Sequence, residues 1–78
     1  MKKVDSREET TGYDFDSSVI KSAKYNHSTN ALTIEFTKGE VYQYDNVEVR
    51  VFNEFVDASS QGTYFAQNIK EAYSWNKL

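Results

Sequence analysis

The chain predicts an α+β fold: a three-stranded antiparallel β-meander followed by two helices packed on one face of the sheet. Two observations carry this. Residues 31–37, ALTIEFT, alternate strictly between apolar and polar, the period of a half-buried strand. Residues 47–59, VEVRVFNEFVDAS, switch to spacings of three and four, the period of an amphipathic helix. A small sheet with one apolar face needs a cover, and two consecutive amphipathic helices supply one.

Residues 1–17, MKKVDSREETTGYDFDS, are polar and charged with no sustained period, and read as a flexible N-terminal arm. Tyr13 and Phe15 are its two aromatic residues, able to dock onto the domain or onto a neighbouring subunit. The domain proper is expected over 18–78. Its first strand, about residues 18–26, carries Val19, Ile20, Ala23 and Tyr25 in imperfect alternation, the mark of an irregular or edge strand. The cluster from Asn26 to Asn30 turns the chain. Leu32, Ile34 and Phe36 then share one face of the second strand. The third strand returns over residues 40–45, EVYQYD.

The turn between them decides where Tyr42 and Tyr44 point. A two-residue loop of Lys38 and Gly39 would require positive φ at lysine, which is unfavourable. A three-residue loop, Thr37-Lys38-Gly39, requires it only at Gly39. That loop sets Ile34 opposite Tyr42 and Leu32 opposite Tyr44, so both tyrosines share the apolar face. A slip of one residue would turn them to the other side.

The first helix brings Val49, Phe52, Phe55, Val56 and Ser59 onto one stripe. Asp45 or Asn46 is positioned to cap its start, and Gly62 to close its end. Thr63 is expected to cap the second helix, in which Phe65, Ile69 and Tyr73 form a stripe at spacings of four.

The composition limits the chemistry. Seventy-eight residues make one small domain. With no cysteine there is no disulfide framework, thiolate metal site or cysteine nucleophile, and His27 is the only histidine. No run of about 18 apolar residues is present, and the opening MKKVDSREE, with no apolar core, does not read as a secretory leader. A cytoplasmic location is the expectation. The net charge of −3 is concentrated in residues 1–17, which hold five acidic and three basic residues. Residues 18–78 hold seven acidic and six basic ones, so the domain is close to neutral. That balance argues against strong non-specific binding to nucleic acid and leaves room for a local basic patch.

Several pieces, taken in order, resemble the KTSC domain family. They are Ser17-Ser18-Val19-Ile20, Leu32-Thr33-Ile34-Glu35-Phe36, Lys38-Gly39 and Tyr42-Gln43-Tyr44. Ala58-Ser59-Ser60-Gln61-Gly62-Thr63-Tyr64-Phe65 and Ile69-Lys70-Glu71-Ala72-Tyr73 complete the set. The resemblance covers about residues 17–74. The chain departs from the family pattern at Val47-Glu48, where the family commonly has Val-Pro. Proline presets the first helical turn, and a glutamate there acts instead through the helix dipole. The family is named after the C-terminal domain of some lysyl-tRNA synthetases, and also occurs as a stand-alone small protein in bacteria and phages. The resemblance therefore implies RNA binding.

Each candidate residue has a functional and a structural reading. Tyr42 and Tyr44 either offer a stacking platform for a base or complete the core, as the turn geometry favours. Ser60 and Gly62, with Ser59 and Lys70, either hold an anion such as phosphate or serve as helix-capping residues. Tyr64, Tyr73 and Trp75 either form an interface with another subunit or, in the case of Trp75, fold back onto the core. His27 lies in a polar turn without a second imidazole, and no carboxylate pair has an acid–base context. Neither a catalytic residue, a metal site nor a cofactor is indicated.

The leading expectation is a non-enzymatic binding module for RNA or a nucleotide-like ligand. Tyr42, Tyr44, Ser60, Gly62, Tyr64 and Lys70 are its candidate site, with Lys21, Lys24 and Lys38 as further phosphate contacts. The alternative is a protein-interaction or ligand-sequestering accessory factor acting as a homo-oligomer through Tyr64, Tyr73 and Trp75.

Overall fold

The computed structural model describes residues 2–6 and 10–78, with side chains from residue 10 onward. The chain runs β1 (Lys2–Ser6), β2 (Thr10–Asp14), β3 (Ile20–Asn26), β4 (Ala31–Phe36), β5 (Val41–Tyr44), α1 (Val49–Asp57), α2 (Gln61–Asn68) and β6 (Trp75–Lys77). The α+β class and the two helices are as expected, but the sheet has six strands in the order β1-β2-β3-β4-β5-β6 rather than three. All its neighbouring pairs are antiparallel.

The three expected strands form its centre. The β4–β5 register sets Ile34 opposite Tyr42 and Leu32 opposite Tyr44. The loop is the three-residue one. The Phe36 and Glu40 backbones close it, with the Phe36 amide donating to the Glu40 carbonyl at 2.8 Å, and Gly39 takes φ 98°. The irregularity of the first strand is a register shift between Ile20 and Ser22.

The arm expected over residues 1–17 is corrected in its described part. Thr10–Asp14 pairs with β3, and Lys2–Ser6 pairs with β2. Positions 1 and 7–9 lie outside the described residues. The physical reason is the pair of aromatic residues. On β2, Tyr13 lies beside Ala23 of β3, and its ring reaches to 6.1 Å from Phe52. Phe15 is buried edge-on against Phe55 at 5.4 Å, and its amide donates to the Lys21 carbonyl.

Both helices cover one face. Tyr25 stacks on Phe52, and Phe36 and Tyr44 each meet Phe65 edge-on. The fully buried Tyr25 hydroxyl donates to the Val47 carbonyl at 2.6 Å and accepts from the Asn30 amide at 2.7 Å. This ties the β3–β4 turn to the entry of α1, and no buried side-chain nitrogen or oxygen is left unpartnered among the described residues. The opposite face of the sheet is polar and uncovered. Its Ser22–Glu35 hydrogen bond and Lys21–Glu35 ion pair are partly exposed.

The helix ends differ from expectation. The residue preceding α1 is Glu48, whose side chain makes no cap, while Asn46 takes φ 56° and turns the chain. Val49 is 44% exposed, and Val51 joins Phe52, Phe55 and Val56 on the buried face. Gly62 does not close α1, because it sits in the first turn of α2. The Gln61 amide closes α1 instead, donating to the carbonyls of Val56 and Ala58. Gly62 lies close to Val19, where a Cβ would stand 3.4 Å from the Val19 Cβ. The α2 cap is Ser60, whose hydroxyl accepts from the Thr63 amide. Ser60→Ala should lower stability by about 1 kcal/mol, read as a lower urea midpoint with an unchanged slope. Phe65 and Ile69 are buried as expected, whereas Tyr73 falls beyond the helix and is half-buried against the core.

Candidate functional site: an aromatic groove

Where α2 crosses the end of the sheet formed by β4, β5 and β6, the two layers part. They leave an open groove of about 680 Å³. Its apolar wall is made by Phe36, Tyr42, Tyr44, Phe65 and Trp75, with Val19, Gly62 and Ala66 completing it. Charge is confined to Glu40, Lys70 and Glu71.

Each aromatic residue is placed by the register. Phe36 ends the inward row of β4 and meets Tyr42 edge-on at 5.7 Å. Tyr44 is buried beneath Phe65, which leaves Tyr42 nearer the surface. Trp75 stands opposite Tyr44 on β6, and its ring is 5.2 Å from that of Tyr42. It is 53% exposed, so it covers Tyr42 without plugging the core. Strand β6 is held at both ends, by the Asp45 amide on the Ser74 carbonyl and the Leu78 amide on the Val41 carbonyl. The Lys77–Glu40 ion pair at 3.7 Å adds a tie at the groove margin. Trp75 is therefore a wall residue fixed by backbone pairing.

Of the residues singled out from sequence, Tyr42, Tyr44, Gly62 and Lys70 meet in this groove, and Trp75 joins them. Ser60 and Tyr64 do not line it. Ser60 caps α2, while Lys70 lies past the other end of that helix, so the two do not converge on one anion. Tyr64 points toward α1, where its hydroxyl donates to Glu54 at 2.9 Å and Glu54 also meets Arg50 at 3.2 Å. Lys21 is paired with Glu35, and Lys24 lines a shallow polar depression on the uncovered face. Sequence reasoning missed Val19, Phe36, Glu40, Phe65, Ala66 and Glu71 as site residues. For Phe36 the signal was the hairpin register, which puts it at the end of the apolar row beside Tyr42.

Two tyrosines have raised pKa values. Burial pushes the Tyr44 hydroxyl up, with the neighbouring Tyr42 adding to it. Burial also raises Tyr64, reinforced by its hydrogen bond to Glu54. The folded state thus holds both protons more tightly than the unfolded chain. The associated stability is complete below the ordinary value of 10.0 and is lost as pH rises through the raised values. Urea midpoints should accordingly fall above pH 10. Tyrosinate absorbance of the folded protein should develop later than that of the chain in denaturant.

A small α+β domain with an open aromatic groove at one end of its sheet is the class that the geometry defines. Residues 16–73 match the family model of the KTSC domain. The fold agrees with the crystal structure of a KTSC domain protein from Yersinia pestis. The TM-score is 0.82 at 31% identity, covering 88% of this chain and 97% of that one. The chain is 39% identical over 61 residues to a lysine–tRNA ligase of Trichormus variabilis and 38% identical to one from Nostoc sp.. These matches take in 78% of this chain and 11% of each ligase, so the chain spans about a ninth of the curated relatives' length. The chain belongs to the KTSC domain family.

Proposed function

We propose that this domain is a non-catalytic binding module that holds a planar base, from RNA or a nucleotide, in the aromatic groove. The observation that carries the reading is the Tyr42–Trp75 pair, which presents exposed ring surface beside Phe36 in a groove large enough for a small ligand. Stacking of a base on such rings is worth about 1–3 kcal/mol. Lys70 stands at the margin for a phosphate outside the apolar wall, with Glu71 next to it, and Glu40 is ion-paired with Lys77. The similarity to lysine–tRNA ligases supports an RNA ligand, and the family and small fold fit a module without catalysis.

Because Trp75 is the only tryptophan and lies in the groove, its fluorescence reports occupancy directly. Titration with nucleosides and short RNA oligonucleotides should quench or shift it. An emission spectrum that none of them changes at low salt would overturn the reading. A second reading, a protein-interaction module acting as a homo-oligomer, is favoured by the exposure of Trp75 on the edge strand β6 and of Leu78, 66% exposed, just beyond that strand. Native mass spectrometry separates the two through subunit number and any co-purifying RNA.

A further inference from the structure

The groove has a continuation. A second depression of about 300 Å³ lies between the segment leading into β3 and the β4–β5 turn. It shares Val19, Phe36 and Glu40 with the aromatic groove and adds Ser18, Thr37 and Lys38. Val19 stands at the junction, 48% exposed.

The wall between the two is built rather than loose. The Ser17 hydroxyl accepts from the amides of Val19 and Ile20. The Thr37 amide donates to the Val19 carbonyl, and its hydroxyl donates to the Ser18 carbonyl, both at 3.0 Å. These bonds lace the segment to the hairpin, so the depression exists before any ligand arrives.

Charge is arranged along this path. Glu40, the acidic group common to both depressions, is matched by Lys77. Lys38, which lines only the second depression, has no ion-pair partner among the described residues and is exposed. A free nucleoside would fill the aromatic groove alone and leave this cation unused.

We propose that the two depressions form one trough for single-stranded RNA, taking two successive nucleotides. The first base lies against Tyr42 and Trp75, and the chain passes Val19 and Phe36 so that the linking phosphate meets Lys38. This rests on the base-holding reading above and selects an RNA strand over a free nucleotide as the ligand. The affinity gained over a nucleoside comes from one phosphate and a second nucleoside, and the phosphate part depends on salt.

The test titrates the full chain with adenosine and with the dinucleotide ApA, following Trp75 fluorescence. ApA should bind roughly tenfold more tightly than adenosine, a difference of about 1.4 kcal/mol. Its log affinity should fall with log salt at a slope of about −0.7, the value for one phosphate on a single strand. Lys38→Ala should remove most of the gain and the slope while leaving adenosine binding unchanged. Lys38 is exposed in a turn, so this variant should keep the fold. Equal affinities for adenosine and ApA would overturn the trough and leave the base-holding reading standing. So would a gain that survives Lys38→Ala, or one abolished by Lys70→Ala instead. Failure of both ligands to affect Trp75 would overturn both.

Discussion

Phe55→Ala is expected to lower the stability of the domain by about 3–5 kcal/mol, the range for removing a buried phenylalanine ring. Phe55 is fully buried in α1. It meets Phe15 edge-on on one side and Tyr64 of α2 on the other, with ring centroids 5.4 and 6.2 Å away. It therefore joins α1 to α2 and to a segment forty residues earlier in the chain. A chain of 78 residues has a total stability of roughly 4–12 kcal/mol at the usual value per residue. A loss of this size removes a large part of it. Urea unfolding followed by far-ultraviolet circular dichroism would measure the change, and a loss below about 1 kcal/mol would contradict the central place given to Phe55. Because Phe15 loses its partner, β2 should also loosen. Hydrogen exchange at Thr10–Asp14 should accelerate even under conditions where α1 stays folded.

That link between Phe15 and Phe55 marks where sequence reading stopped short. The central three strands were legible because two local rules agreed. ALTIEFT has the strand period, and only Gly39 in the turn accepts positive φ readily. The register of Tyr42 and Tyr44 followed from them. Strand β2 was not legible, because TTGYD is short, contains a glycine and turns only Thr11 and Tyr13 toward the helices. Its pairing is decided by tertiary contacts, in which Tyr13 and Phe15 reach rings of α1 some forty residues later. Strand β6 has only three residues, too few to show a period, and pairing with the open edge of β5 accounts for it.

The same division applies to the groove. Tyr42, Tyr44, Gly62 and Lys70 were found by residue type and spacing, and they do converge. Ser60 and Tyr64 were candidates by the same logic, yet their hydroxyls serve a helix cap and an interhelix hydrogen bond. Residue type cannot distinguish a serine that caps a helix from one free to hold an anion. The position of Trp75 depended on a strand with no signal of its own, so its sequence reading stayed divided between core and interface. It is neither a plug nor a detached surface residue, because pairing with β5 holds the indole over Tyr42.

Trp75→Ala should consequently separate ligand binding from folding. The indole is half-exposed on an edge strand, so its removal takes little apolar surface out of the core. Its principal ring contact is Tyr42, and such a pair contributes about 0.5–1.5 kcal/mol. A base stacked on the indole would lose about 1–3 kcal/mol, which is roughly a five- to 150-fold weaker complex. Since the variant has no tryptophan, binding is best followed by anisotropy of a fluorescein-labelled RNA oligonucleotide, with Trp75→Phe as the conservative partner. The phenylalanine variant should recover part of the affinity, because a smaller ring still offers a stacking face. If both variants bind like the parent, the base does not lie on Trp75 and the groove is not its site. If alanine and phenylalanine weaken binding equally while urea midpoints are unchanged, the indole acts through its ring N–H. The ligand would then be held by a hydrogen bond at that edge rather than by stacking.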